Sequence, residues 1–411
     1  MLMSIKTIVP IKLHKSAKRK EFEGKVTSIE LDKPEFFKYA VYVREVIQHV
    51  KESDFDYLQS LVPHMVGYYD DLIELTGDKI INLCKDDRTQ QQISELAGVA
   101  IGLKYSTSLL DIGLNKFEKI GVPVDGKYMD YKVVVDGKLY EMEAKGTTQP
   151  SFSKMVKDII AKKSFSGAHL KFGTIDAIEG HRYSRKVRCV VVDDPPIEGQ
   201  LVEADYFRNQ LSYYAVFQGF ILDPKYYNRY ANRVADMAFP RRSIAEGKFF
   251  GRYEFNGSTY LGECFDNRLI RRNVEIVLEN RTTDIGGFDL LSQIVGKTKF
   301  FIGLDEKVIS AINRKDREFM ENYRSERIFN TGDSTYQFLD VDGILIVKSK
   351  GGADEQLESI FTEEDVQKRL DLYEQYIRGI AHECGQPCHS PGVVGKSCAI
   401  RTFREACHWH R

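Results

Sequence analysis

Asp130-Tyr-Lys-Val-Val-Val-Asp-Gly-Lys-Leu-Tyr-Glu-Met-Glu-Ala-Lys145 decides the reading of this chain. Asp136-Gly137 is a two-residue turn signal between two β-prone runs. With that pair in the turn, Val135 faces Lys138 and Asp130 falls directly across from Glu143. Directly opposed residues share a face of the sheet, and Glu141, Glu143 and Lys145 alternate by two, so all project the same way. Tyr131, Val133, Val135, Tyr140, Met142 and Ala144 make the other face apolar. Opposed like charges destabilise a hairpin unless something compensates them. A bound divalent cation would do so, with Lys145 beside it. An exposed hairpin with Lys132 paired to Glu141 accounts for the remaining charges, but leaves Asp130 facing Glu143 unexplained.

Two carboxylates and a lysine on one face suit metal-dependent phosphodiester cleavage. A hard cation such as Mg²⁺ takes oxygen ligands and keeps several waters. It can lower the pKa of a bound water and stabilise charge on a phosphate. A neighbouring lysine can orient the attacking water or hold a phosphate oxygen. Asp130…Glu143-Ala144-Lys145 resembles the D…(D/E)-x-K signature of the PD-(D/E)XK, or restriction-endonuclease-like, nuclease superfamily. Met129 stands where that family usually has proline. The resemblance covers about residues 90–195. It implies an αβββαβ core in an α/β (α+β) protein. It also implies Mg²⁺ or Mn²⁺ held by Asp130, Glu143 and the Ala144 carbonyl, with Lys145 activating water or steadying the scissile phosphate.

The elements around the hairpin follow a compatible order. Residues 89–113 read as a helix whose buried stripe is Ile93, Leu96, Ala97, Ala100, Ile101 and the stem of Lys104. Glu95 lies off that stripe with Gly98 and Gly102, whose spacing allows close backbone approach to a neighbour. In the resembled family this helix often carries an acidic residue that reaches the metal, and Glu95 matches it in position; an ordinary exposed glutamate fits equally. After the hairpin, Gly146-Thr-Thr-Gln-Pro150 leaves the site, with Thr147, Thr148 and Gln149 as phosphate donors or helix caps. Ser151–Lys163 reads as a helix, and Lys171–Ile178 and Lys186–Val192 as strands. Between those strands Arg182, Arg185, Lys186 and Arg188 form a candidate phosphate-contacting patch or a solvated loop.

The chain has 411 residues, 42% hydrophobic and 29% charged, with formal net charge −1. That composition is globular, and it offers no global basic field for nucleic acid, so contacts must come from local patches. No apolar run reaches the roughly 18 residues of a membrane span. Cys84, Cys189 and Cys264 are isolated, which points to a reducing cytoplasm rather than a disulfide framework.

Four segments are expected: an N-terminal β/helical region (1–88), the nuclease-like core (89–199), an α+β recognition or oligomerisation region (200–350), and a helix with a Cys/His-rich tail (351–411). Residues 34–83 read as helical. Glu203–Phe220 and Tyr226–Phe239 read as helices, followed by short strands at Phe249–Phe255, Thr259–Gly262, Val274–Leu278 and Lys299–Gly303. Ser258-Thr-Tyr-Leu-Gly262 and Thr298-Lys-Phe-Phe-Ile-Gly303 look alike without making a repeat. Val308–Ile312 opens a helix, and an Asp342-Gly343 turn separates two further strands. In the tail, Cys384, Cys388, His389, Cys407, His408 and His410 are candidate Zn²⁺ ligands, although their spacing matches no familiar zinc module.

The function expected from all this is a Mg²⁺- or Mn²⁺-dependent endonuclease acting on nucleic acid, with DNA favoured by the resemblance and a bacterial restriction or phage-defence setting as analogy. A homo-oligomer or a partner protein is compatible with it. The competing expectation is a non-catalytic nucleic-acid binder or sensor subunit on a nuclease-like fold.

Overall fold

The computed structural model describes residues 6–15, 24–41, 70, 72–84, 87–120, 127–180, 184–193, 201–204, 206–207, 209–210, 213–214, 249–268, 297–314, 316–368 and 370–371. The protein is mixed α and β, and divides into two compact units, one from 3–49 with 72–214 and one from 50–71 with 215–411.

In the first unit the strands are β1 (Thr7–Leu13), β2 (Ser28–Leu31), β3 (Ile73–Leu75), β4 (Ile80–Asn82), β5 (Glu118–Lys119), β6 (Tyr131–Val135), β7 (Lys138–Thr147), β8 (Leu170–Ala177) and β9 (Arg188–Asp193). The helices are α1 (Lys33–Val41), α2 (Asp87–Leu110) and α3 (Ser153–Lys163). Seven strands form one sheet in the order β2-β1-β9-β8-β7-β6-β5, with β3 and β4 as a separate pair. β7 is antiparallel to β6 and parallel to β8, and α3 lies in the crossover between β7 and β8. A parallel pair needs such a crossover because a tight turn cannot reverse the chain twice.

The hairpin register is the one the Asp-Gly turn predicts, with Val135 opposite Lys138 and Tyr131 opposite Met142. Asp136 and Gly137 have φ of 50° and 74°, which the tight turn requires. The same logic recurs at Asn256-Gly257 in the second unit, with φ of 48° and 73°.

The sheet is covered on both faces. α2 packs on the Ala144 and Thr174 side, where a Cβ at Gly102 would lie 3.1 Å from the Ala144 Cβ and 2.6 Å from the Thr174 Oγ1. Gly98 and Gly146 meet backbone to backbone, so the two-glycine face found in the sequence has β7 as its neighbour. α3 covers the other face, where Val156 and Ile159 join Ile175, Val190 and Val192 in one apolar cluster. Phe36 and Phe37 of α1 are buried, and Glu35 pairs with Lys104 of α2 at 2.6 Å.

Three sequence expectations change. Residues 34–83 are not continuously helical: α1 is followed in the described residues by the β3–β4 hairpin, closed by the Thr76 amide donating to the Lys79 carbonyl. Gly77 and Asp78 punctuate two apolar runs too short to show a period. β5, two residues long, adds a third strand between α2 and α3. β1 and β2, from the first 88 residues, extend the same sheet as β5–β9. Val202 and Asn209 also reach this unit: Val202 donates to the Gly137 carbonyl and Asn209 to that of Lys116.

The second unit is an antiparallel sheet in the order β10-β11-β12-β15-β14-β13. Its strands are β10 (Phe249–Phe255), β11 (Ser258–Asp266), β12 (Thr298–Asp305), β13 (Ile328–Thr331), β14 (Thr335–Leu339) and β15 (Ile344–Lys350). It carries α4 (Glu306–Arg314), α5 (Arg317–Asn322) and α6 (Glu355–Ile360). The two look-alike segments are neighbouring strands, with Gly262 opposite Gly303 and no room for a Cβ at Gly262, which would lie 2.0 Å from the Ile302 carbonyl oxygen. Tyr253, Phe301, Leu345 and Val347 build the core with Leu357 and Phe361. Tyr226–Phe239, Val274–Leu278 and all six candidate zinc ligands of the tail lie outside the described residues, as does most of Glu203–Phe220.

Candidate active site

Asp130 stands one residue before β6, and its amide donates to the Met142 carbonyl at 3.0 Å. Its Oδ2 accepts from the Ala144 amide at 3.1 Å, so the side chain is pulled across to β7 beside Glu143. Glu143 has no exposed surface. Its Oε1 receives two ammonium groups, Lys162 Nζ at 2.5 Å and Lys145 Nζ at 2.6 Å. Its Oε2 is buried without a hydrogen-bond partner among the described residues. Lys145 also approaches Asp158 Oδ2 at 3.5 Å, and Lys162 lies 3.9 Å from Asp130 Oδ1. Asp158 and Lys162 are one helical turn apart on α3, so that helix presents both to the strand pair.

The electrostatics follow from burial. Loss of water lifts the Glu143 carboxyl from the ordinary range to about 7, the nearby Asp130 charge adds to this, and Lys145 and Lys162 oppose it. Burial works to lower Lys145, but the Glu143 and Asp130 carboxylates outweigh it and hold the ammonium above its usual range. Lys145 is therefore a cation here, suited to hold an anion or orient water by its charge.

Asp130, Glu143 and Lys145 are thus brought together, with the Ala144 amide on Asp130. No group of three or more His, Cys, Asp or Glu side chains able to hold a metal occurs among the described residues. Two carboxylates and a backbone carbonyl can still serve Mg²⁺, which keeps several waters and rarely sits in an all-protein cage. The buried, unpartnered Glu143 Oε2 is the donor such an ion would engage.

Glu95 is not part of this group. It is exposed on α2, accepts from Gln91 Nε2 at 3.0 Å, and belongs to a helix packed on the opposite face of the sheet from Glu143. The basic patch is also committed elsewhere. Arg185 donates to the Thr148 and Gln149 carbonyls, Lys186 pairs with Asp78 at 2.8 Å, and Arg188 lies over the Phe152 ring; Arg182 is outside the described residues. Thr147 turns its hydroxyl back to accept from the Gln149 amide. Arg185 therefore braces the loop leaving β7.

Sequence reasoning missed Lys162 and Asp158. The i, i+4 spacing on one predicted helix was visible, but which face of the sheet that helix covers is a tertiary fact. Another buried acid, Asp176, lies on the α2 side of the sheet. Burial raises its pKa well above the ordinary range, against hydrogen bonds with Cys189 and Thr174. Cys84, Cys189 and Cys264 are buried thiols. No described helix is long and apolar enough to cross a membrane. The chain matches no family model, and comparison with curated proteins and with solved structures finds no relative.

Proposed function

We propose that this protein is a Mg²⁺- or Mn²⁺-dependent nuclease of the PD-(D/E)XK kind, with DNA as the substrate. The observation that carries the reading is Glu143: a wholly buried carboxyl with an unpartnered oxygen, set beside Asp130 and Lys145 at the register the signature requires. Leaving such a group unsatisfied costs free energy, so it calls for a ligand. The element order supports the same reading, since α2-β5-β6-β7-α3-β8 follows the αβββαβ order of that superfamily, with β7 parallel to β8.

Asp130, Glu143 and the Ala144 carbonyl would hold the cation, which when bound supplies charge for the phosphate and a more acidic water. The Ala144 amide orients Asp130 toward Glu143. Lys145, paired with Glu143 and Asp158, offers a positive charge at the edge of the carboxylates, where it can hold a non-bridging phosphate oxygen. α3 closes the α3-side face and limits water around Glu143.

Cleavage of plasmid, linear and single-stranded DNA with Mg²⁺, Mn²⁺ or EDTA, by wild type and Lys145→Ala, tests the proposal. Metal-dependent nicking lost in the variant supports it. Nicking that survives the substitution refutes the site. Absence of cleavage by the wild type, together with DNA binding, would favour a non-catalytic binder or sensor.

A further inference from the structure

Lys162 is the feature of this site that the D…(D/E)-x-K pattern does not contain. It comes from the last turn of α3, reaches Glu143 Oε1 at 2.5 Å and lies 3.9 Å from Asp130 Oδ1. It is thus the one cation that touches both carboxylate groups among the described residues, whereas Lys145 is paired with Glu143 and Asp158. Its ammonium also lies 5.6 Å from the centre of the Tyr128 ring, and only 17% of the side chain is exposed. An ammonium beside two carboxylates answers the same electrostatic demand as a divalent cation, and an ion engaging Glu143 Oε2 repels the ammonium held on the neighbouring Oε1.

Resting on the nuclease reading, we infer that Lys162 is a second substrate lysine. It holds the Asp130–Glu143 pair until the divalent cation enters. Displaced, it then takes a non-bridging phosphate oxygen of the bound DNA. The contacts with Asp130 and Glu143 carry the first half, and the chemistry of a lysine on a flexible arm carries the second. The stem is anchored on α3, which is fixed to the sheet by Val156 and Ile159, while the four-carbon arm can swing. A lysine is a strong point-charge partner for phosphate. The exchange also sets metal affinity, because a competitor that occupies the carboxylates lowers the apparent affinity by the fraction of time they are closed.

The experiment combines amine labelling with calorimetry on the full chain. Lys162 reactivity toward acetic anhydride, read by peptide mass spectrometry, is expected to be low in EDTA, several-fold higher with Mg²⁺, and low again when a phosphorothioate oligodeoxynucleotide is added. Mn²⁺ titration of Lys162→Met, which keeps the apolar stem, is expected to show binding on the order of tenfold tighter than wild type. Asp130→Asn should bind no Mn²⁺ at that site. If wild type binds Mn²⁺ through Asp130 but Lys162 reactivity stays flat and Lys162→Met binds no tighter, this inference falls and the nuclease reading stands. Reactivity that rises with Mg²⁺ yet is not suppressed by the oligonucleotide overturns the phosphate half. Absence of Asp130-dependent Mn²⁺ binding in both proteins overturns the metal reading itself, and this inference with it.

Discussion

Gly98→Ala tests whether the helix behind β7 positions the site. A Cβ at Gly98 would lie 2.1 Å from the Gly146 amide nitrogen, 2.5 Å from the Lys145 carbonyl carbon and 2.6 Å from the Gly146 Cα. All three are backbone atoms, so no side chain can rotate away. Restoring ordinary contact requires α2 and β7 to part by roughly 1 Å, in an interior that is close-packed. Overpacking of this kind costs about 1–3 kcal/mol, and backbone on both sides puts this case at the upper end. Replacing glycine by alanine within a helix returns about 1 kcal/mol. The net expectation is a loss of about 1–2 kcal/mol, read as a lower urea midpoint by far-UV circular dichroism. The same shift moves Lys145, the residue before Gly146. A misplacement of about 1 Å in a catalytic group can cost on the order of a hundredfold in rate. Gly98→Ala should therefore cleave DNA far more slowly than its modest loss of stability explains. A variant as stable and as active as wild type would refute the close-contact argument.

Three further expectations follow from the same structure. Lys145→Ala should lose metal-dependent cleavage while keeping its thermal midpoint within a few degrees, because the side chain is partly exposed and the strand is held by its backbone. In EDTA, stability should fall as pH rises from about 4.5 to 7: Glu143 has a raised folded-state pKa, so its contribution is complete below its ordinary value of 4.5 and is lost through about 7. Glu143→Gln should remove up to about 3 kcal/mol of that slope in pH-dependent urea titrations, and Asp176→Asn should flatten it further, since that pKa is also raised; a wild type equally stable at pH 5 and pH 8 would contradict both. Tyr253→Phe should destabilise the second unit by about 1–2 kcal/mol, because its hydroxyl donates to Asp354 at 2.7 Å and accepts from Gln337 at 2.8 Å; an unchanged urea transition would count against that network.

The hairpin was legible because one local signal determined it. Asp136-Gly137 fixed the turn, the turn fixed the register, and the register put Asp130 beside Glu143. The glycine face of α2 was legible for a similar reason, since small residues at helical spacing have few other uses. What failed was whatever depends on distant packing. Glu95 had the right offset along the chain, but α2 lies across the sheet from the carboxylates. Lys162 had no local signature at all, and acquired its place only when α3 docked on β8. β3, β4 and β5 are too short for periodicity to mark them. Arg185 and Lys186 looked available because sequence does not show that Thr148, Gln149 and Asp78 are near enough to engage them.

The position of β7 within its sheet has a consequence for motion. It is bonded along one edge to β6 from Lys138 through Met142 and along the other to β8 from Tyr140 through Thr147, with the Ala144 amide held by the Asp130 side chain. Such a strand exposes its amides to solvent only when a large part of the unit opens, so the amides around Glu143 and Lys145 should rank among the slowest to exchange with deuterium. The carboxylate on this strand is then a fixed point of the unit. On the proposed nuclease reading, fitting to a substrate falls to side chains that reach in from α3, such as Lys162, and to the substrate itself.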